Sequence, residues 1–362
     1  TLGWSFAILT LTGAWGWLRG TWGARPAWAG IAALMAGGSL VAVAAGGYTD
    51  WLGMFFALGC VVMLNRYDQT EERSALLLSG FFAGLALGTK YTSGLLALAA
   101  LAALAFGMLR RRRFSLLPLL LFGLMVTAAD LPWLAKNLLW TGNPAYPFLF
   151  PAGAMTQLRL DGYQNTPPSG DWQDFLLLPV RATMLGAEGA GTYGAAIGAL
   201  LLGLSALAWL GREQRTAEQR SQVGLNAAIV LTGWLLWAVA NRISGSLQQT
   251  RYAFALFPAL LPLVAAGFQG LAGMRLGQVR LKRISAALVL LALGANLLDT
   301  GIGTLRQGSV QHLLGIQSDS AYLAANLGWY QVALESVRDL PEGSRVLMLY
   351  EARGYFCTPR CS

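Results

Sequence analysis

The sequence predicts an all-α polytopic membrane protein of about ten transmembrane helices, with the start of a small α/β extracytoplasmic domain at the C-terminus. Three observations carry that expectation. Of 362 residues, 55% are hydrophobic and 12% charged, whereas water-soluble domains carry about a quarter charged residues. Apolar runs of spanning length recur along the chain, and basic residues gather in alternate loops.

Runs of about 17 to 25 apolar residues suffice to span. The first, roughly 1–18, opens directly on Thr1 without an initiator Met or a charged leader, which predicts an N-terminally truncated fragment. Further spans are expected at 27–46 and 50–65. Residues 74–88 and 92–109 are separated only by Thr89, Lys90 and Tyr91, which reads as a helical hairpin turning at the outer face. A third helix, 115–130, climbs back out from the basic cluster Arg110–Arg113, and the remaining spans are 192–210, 223–240, 252–271 and 284–300.

Arg19 and Arg25, Arg66 and Arg73, Arg110–Arg113, Arg212, Arg215 and Arg220, and then Arg275, Arg280, Lys282 and Arg283 fall in every second loop. By the positive-inside rule those loops are cytoplasmic, facing anionic membrane lipids. The net charge of +9 is therefore topological, and no nucleic-acid partner is expected. The same reading places Asp50, Lys90, Asp130, Lys136, Asn137, Arg242 and Arg251 on the other, extracytoplasmic face of a plasma (inner) membrane.

The expected division is a transmembrane domain over 1–303, with a long outer loop at 131–191, and an incomplete extracytoplasmic domain over 304–362. The loop is too long for a plain connector. Its Trp133, Trp140, Tyr146 and Trp172 suit an interfacial belt. From Asp171 to Met184 it is expected to form a short surface helix that Pro179 kinks or ends. Beyond 303, Asp319 is expected to cap a helix reaching about Val337, and Val346–Tyr350 to form a buried strand. One helix and one strand cannot bury a core, so that domain is expected to be cut off at Ser362. Cys357 and Cys361 lie on the oxidising side, where a disulfide and two free thiols both stay open.

A carboxylate at the bilayer edge of a helical bundle is costly to desolvate, which makes Asp50 a functional candidate. Its alternatives are base or metal ligand in group transfer, ion site in a transporter, or helix N-cap. Lys90 either snorkels to the interface or binds a phosphate or carboxylate. Arg251, beside Tyr252, carries the same two readings, its guanidinium fork suiting a phosphate head group. Lys136 and Asn137 either orient a polar substrate or sit in a solvated loop, and Asp130 reads as ending a helix. The Gly189–Gly194 stretch matches a dinucleotide-binding pattern but lacks a preceding strand. Gly194 and Gly198 read instead as a helix-packing face. A metal site is not specified: His312 is the lone histidine, and a divalent metal stays open.

Tyr48-Thr49-Asp50, Gly84-Leu85-Ala86-Leu87-Gly88-Thr89-Lys90-Tyr91, Pro132-Trp133-Leu134-Ala135-Lys136-Asn137, Thr141-Gly142-Asn143-Pro144-Ala145-Tyr146-Pro147 and Arg251-Tyr252 follow one another in order over most of residues 1–300. Together they resemble the bacterial GT-C glycosyltransferases, relatives of protein O-mannosyltransferases and of the lipid A aminoarabinose transferase. The resemblance implies inverting transfer of a sugar from a polyprenyl-phosphate donor to a lipid, glycan or protein acceptor on the extracytoplasmic side. It also implies Asp50 as the second acidic position, the main catalytic aspartate lying in an outer loop that precedes this chain. Lys90 and Arg251 would hold the lipid phosphate, with Tyr252, Lys136, Asn137 and Asn143 as further substrate contacts. The rival readings are a secondary transporter with an outer-face Asp/Lys site and a lipid-linked glycan polymerase or ligase.

Overall fold

A computed structural model of the chain describes residues 2–45, 48–164, 171, 173, 175, 177–184, 198–243, 249–276, 278–341 and 343–346. The chain divides into two compact units, Thr1–Leu293 and Gly294–Ser362. Helix dominates both. Among the described residues, five helices are long and apolar enough to cross a membrane: Tyr91–Arg110, Leu116–Thr141, Ala217–Ile243, Thr250–Gly270 and Leu281–Arg306.

The first unit opens with α1 (Leu2–Trp22), α2 (Ala24–Met35) and α3 (Gly38–Ala45). The single span expected at 27–46 is thus broken at Ala36 and Gly37. Adjacent glycines hold a helix poorly. A Cβ on Gly198 would stand 3.4 Å from the Gly37 nitrogen, so the break is also where another backbone closes in. Next come α4 (Asp50–Thr70), α5 (Arg73–Thr89), a 3-10 turn at Tyr91–Ser93 and α6 (Gly94–Arg110). The expected hairpin around Thr89–Tyr91 is present, with Lys90 extended between its arms.

Helix α7 (Leu116–Thr141) departs from expectation by running through Pro132. Neighbouring helices commonly tolerate such a proline in membrane bundles. It starts on Ser115, whose hydroxyl accepts from the Leu117 N–H, and stops at Gly142, where φ of 79° needs a glycine. The outer loop expected from residue 131 therefore starts at Gly142, and Asp130 lies inside the helix rather than at its end. Small residues let α5 meet α7. A Cβ on Gly80 would stand 2.5 Å from the Phe122 carbonyl oxygen, and one on Gly84 would run into that of Val126.

After α8 (Gln157–Gln164) comes α9 (Leu178–Met184), in which Pro179 occupies the first turn. Gln173 and Phe175 ahead of it are helical as well, with the break at Leu177, so the proline stands where the expected helix is interrupted and begins again, a position that demands no N–H. Leu178 and Ala182 are buried in the core, so the segment packs inward. Helix α10 (Ala199–Ala206), a 3-10 turn (Leu207–Trp209), α11 (Ala217–Ile243), a 3-10 segment (Thr250–Leu256), α12 (Phe257–Gly270) and α13 (Leu281–Arg306) follow. Gly198, with φ of 69°, precedes α10 rather than lying on a helical packing face, and Gly194 lies outside the described residues. A short antiparallel hairpin pairs Arg275 with Arg280 and Leu276 with Val279.

Helix α12 is the hub. Residues Ala253 to Phe268 are buried without interruption, and α1, α2, α10 and α11 surround them. Gly267 is required there, since a Cβ would run into the Leu204 carbonyl. Polar contacts add specificity where hydrophobic burial offers little drive in lipid. Asn226 of α11 donates to Asn65 of α4 at 2.9 Å, and the Trp22 indole donates to Gln222 at 2.8 Å.

In the second unit, α14 (Ser309–Leu313), α15 (Asp319–Leu327) and α16 (Trp329–Arg338) follow the last turns of α13. His312 stacks on Tyr322 at 4.4 Å. Ser318, not Asp319, supplies the cap, its hydroxyl accepting from the Ala321 N–H, and Gly328 divides the expected helix in two. Apart from Val346, the expected strand at 346–350 lies outside the described residues, as do Cys357 and Cys361.

Candidate active site

Asp50 opens α4, where the positive end of the helix dipole favours a carboxylate. It is 5% exposed. Its partner comes from the α5–α6 hairpin: Lys90 Nζ donates to Asp50 Oδ1 at 2.7 Å. Gly53, one turn along α4, makes this approach feasible, since a Cβ there would stand 3.1 Å from Thr89 Oγ1 and 3.6 Å from Ser93 Oγ. A carboxylate and an ammonium taken out of water together are far cheaper than either alone.

The second cation arrives from the segment before α12. Arg251 stacks over the Tyr48 ring at 4.4 Å and lies 5.9 Å from the Tyr252 ring, while Lys90 Nζ sits 4.7 Å from the same Tyr252 ring. Arg251 Nε is buried without a hydrogen-bond partner among the described residues. Thr49, Asp50, Lys90, Ser93, Arg251 and Tyr252 line one narrow recess of about 10 Å³. One acid and two bases leave it a net cationic cradle with aromatic walls. Four of the seven residues proposed from sequence, Asp50, Lys90, Arg251 and Tyr252, are thus brought together from three separate parts of the chain.

The other three belong to a neighbouring structure. Tyr91, next to Lys90, donates its hydroxyl proton to the Tyr146 carbonyl at 2.8 Å and accepts from Trp133 Nε1 at 3.0 Å and Asn137 Nδ2 at 3.1 Å. Asn137 also donates to the Pro144 carbonyl at 3.3 Å. Asn143 is fully buried; its amide donates to the carbonyls of Phe148 and Phe150, and its Oδ1 accepts from the Ala145 N–H. Lys136 lies over the rings of Trp133 and Trp140, at 4.2 and 5.0 Å. Asparagine side chains here shape the 142–150 loop, and Tyr91 ties that loop to the hairpin that carries Lys90.

Tyr48, Gly53, Tyr91 and Ser93 complete the site without having been singled out for it. Their signal was adjacency: each lies within three residues of Asp50 or Lys90. Asp130 is buried, and its Oδ1 lacks a hydrogen-bond partner among the described residues. A divalent metal fits this recess poorly, because its acid is already bonded to an ammonium. Among the described residues no group of three His, Cys, Asp or Glu could hold one.

Residues 5–134 match the family model of dolichyl-phosphate-mannose-protein mannosyltransferase. That stretch contains Asp50 and Lys90 but not Arg251. Comparison with curated proteins gives no match. Among solved structures, the crystal structure of ArnT from Cupriavidus metallidurans bound to undecaprenyl phosphate matches with a TM-score of 0.54 and 14% identity, covering 96% of this chain and 67% of that one. The likeness read from the ordered motifs is therefore borne out: residues 5–134 match a mannosyltransferase family model, and the chain shares its fold with ArnT.

Proposed function

We propose that this protein is a multi-pass membrane glycosyltransferase. It takes a sugar from a polyprenyl-phosphate donor and transfers it, with inversion, to a lipid, glycan or protein acceptor on the extracytoplasmic face of the plasma membrane. About ten membrane crossings, with the arginine-rich loops inside, give that orientation. The supporting observation is the meeting of Lys90 and Arg251 beside Asp50 at one end of α4.

In an inverting transfer the acceptor hydroxyl gives its proton to a carboxylate base as its oxygen attacks the anomeric carbon, and the bond from that carbon to the phosphate oxygen breaks with its electron pair leaving on the phosphate. Negative charge grows on the departing lipid phosphate, and fixed cations in a dry site stabilise it. Lys90 and the Arg251 fork are placed for that task. Asp50, bonded to Lys90, holds the ammonium in position and limits its freedom before the donor arrives. Tyr252 and Tyr48 supply the aromatic faces against which both cations rest. Lys136 is proposed as an outer contact for the donor or acceptor, while Asn137 and Asn143 act by holding the substrate loop in shape.

The test uses the whole protein reconstituted in vesicles with polyprenyl-phosphate sugars, measuring release of free polyprenyl phosphate. Release that falls in Lys90→Ala and Arg251→Ala, with weaker donor binding, supports the assignment. Unchanged donor affinity in both variants would falsify it. Proton- or ion-coupled solute uptake that depends on Asp50, with no release from any donor, would instead make the protein a transporter.

A further inference from the structure

At the end of α4 remote from Asp50, a groove of about 900 Å³ runs along the seam between α6 and α11. One end of it carries Arg110, Arg212, Arg215 and Arg220 against Glu213 alone. Arg110, Arg212 and Arg220 are solvent-exposed, whereas Arg215 is buried and donates to the carbonyls of Leu210 and Ala266. Arg215 therefore fixes the turn, and Arg220 is oriented on it by donating to the Arg215 carbonyl at 2.8 Å. Apart from Thr232, the rest of the groove is apolar, walled by Phe106, Trp209, Ala228 and Leu231. A second hollow of about 390 Å³ shares Phe106, Arg110 and Arg220 with it.

The dimensions select an occupant. From Arg220 to Leu231 the rise along α11 is about 16 Å, close to the roughly 15 Å hydrocarbon depth of one leaflet. A cationic rim above an apolar channel one leaflet deep matches a molecule with an anionic head and an acyl tail. A topology-setting arginine cluster needs no such channel, and a soluble anion has no use for its walls.

We infer that this groove binds an anionic phospholipid of the surrounding membrane. Its phosphate lies against Arg110, Arg212 and Arg220, and an acyl chain lies along Phe106, Ala228 and Leu231. Such a lipid would clamp α6 to α11 at the end opposite the sugar-transfer site. The inference rests on the membrane placement proposed above and not on the transfer reaction.

The protein, purified in detergent and stripped of lipid, is mixed with dioleoylphosphatidylglycerol or dioleoylphosphatidylcholine, and bound lipid is counted by native mass spectrometry. Phosphatidylglycerol is expected to be retained about tenfold better. The triple change Arg110→Gln, Arg212→Gln and Arg220→Gln should erase that preference. Ala228→Trp should lower retention of both lipids while leaving the arginines in place. If the triple variant does not fold, Arg212→Gln and Ala228→Trp decide. Equal retention of the two lipids, or unchanged retention in these variants, overturns the inference. So does release by inorganic phosphate, which would mean a simple anion site, or stoichiometric displacement by polyprenyl phosphate, which would mean a donor-lipid groove. No sugar donor enters this measurement, so failure of the proposed enzymatic activity would leave its outcome intact.

Discussion

At the Asp50 end of α4, a buried acid is bonded to a partly buried base beside a recess of about 10 Å³; near its other end, about 27 Å along the helix, Asp68 pairs with a half-exposed Arg111 beside wide open grooves. Both ends join a lysine or arginine to an aspartate from a different helix. They differ in what surrounds the pair. At the Asp50 end, tyrosine rings and a second cation leave positive charge in excess in a space with little room for water. Near the Asp68 end, five arginines from Arg110 to Arg220 line hollows open to solvent, and Ser221 gives Asp68 a further partner. In the proposed function, similar charges serve chemistry where they are enclosed and topology or lipid contact where they are open.

Substitutions at the two ends should separate those roles. The largest effect is expected for Lys90→Ala, which should lower donor turnover by about 100-fold, the usual scale for losing one preorganised group facing developing charge. Lys90→Arg should recover part of it, as measured by polyprenyl phosphate release. Asp50→Asn removes the partner of Lys90 while keeping its shape, so about a 10-fold fall in kcat is expected, together with altered donor KM. Asn143→Ala should leave the membrane helices intact but loosen the 142–150 loop by about 1 kcal/mol, the net worth of a typical hydrogen bond, since the Phe148 carbonyl still accepts from the Phe150 N–H. Faster proteolytic nicking within that loop would report it, and unchanged nicking would show that the loop is held by other means. At the opposite end, Asp68→Ala removes a partly exposed ion pair worth about 1 kcal/mol or less. Donor turnover should not change, and a fall as large as that of Asp50→Asn would break the contrast between the two ends.

The helical hairpin was legible because a three-residue polar interruption between apolar runs leaves the chain no other way to return. The grouping of Asp50 with Lys90 was legible only as a shared face, since the residues are forty positions apart and sequence gives no distance. Sequence ends α7 before Pro132 because proline's local penalty is plain there, whereas the packing that offsets it is not. Sequence does not separate Ser318 from Asp319 as the cap, because both residue types cap well and one position decides between them. Asn137 reads in sequence as a substrate contact or a residue of a solvated loop, and the resemblance adds Asn143 as a further contact. The structure has them holding loop carbonyls, and a polar side chain near a site gives the same signal in either role.

Sequence alone determined the membrane class, the spacing of apolar segments, the alternation of basic loops and the ordered motifs, because each is a property of composition or local period. Tertiary structure alone decided which charges meet. Asp50, Lys90 and Arg251 converge because Gly53 admits the hairpin against α4 and because buried α12 draws the segment before it alongside. The arginine-rimmed groove likewise exists only once α6 lies against α11. Close packing fixes such distances through many weak contacts spread across the chain, and no short stretch of residues records their sum.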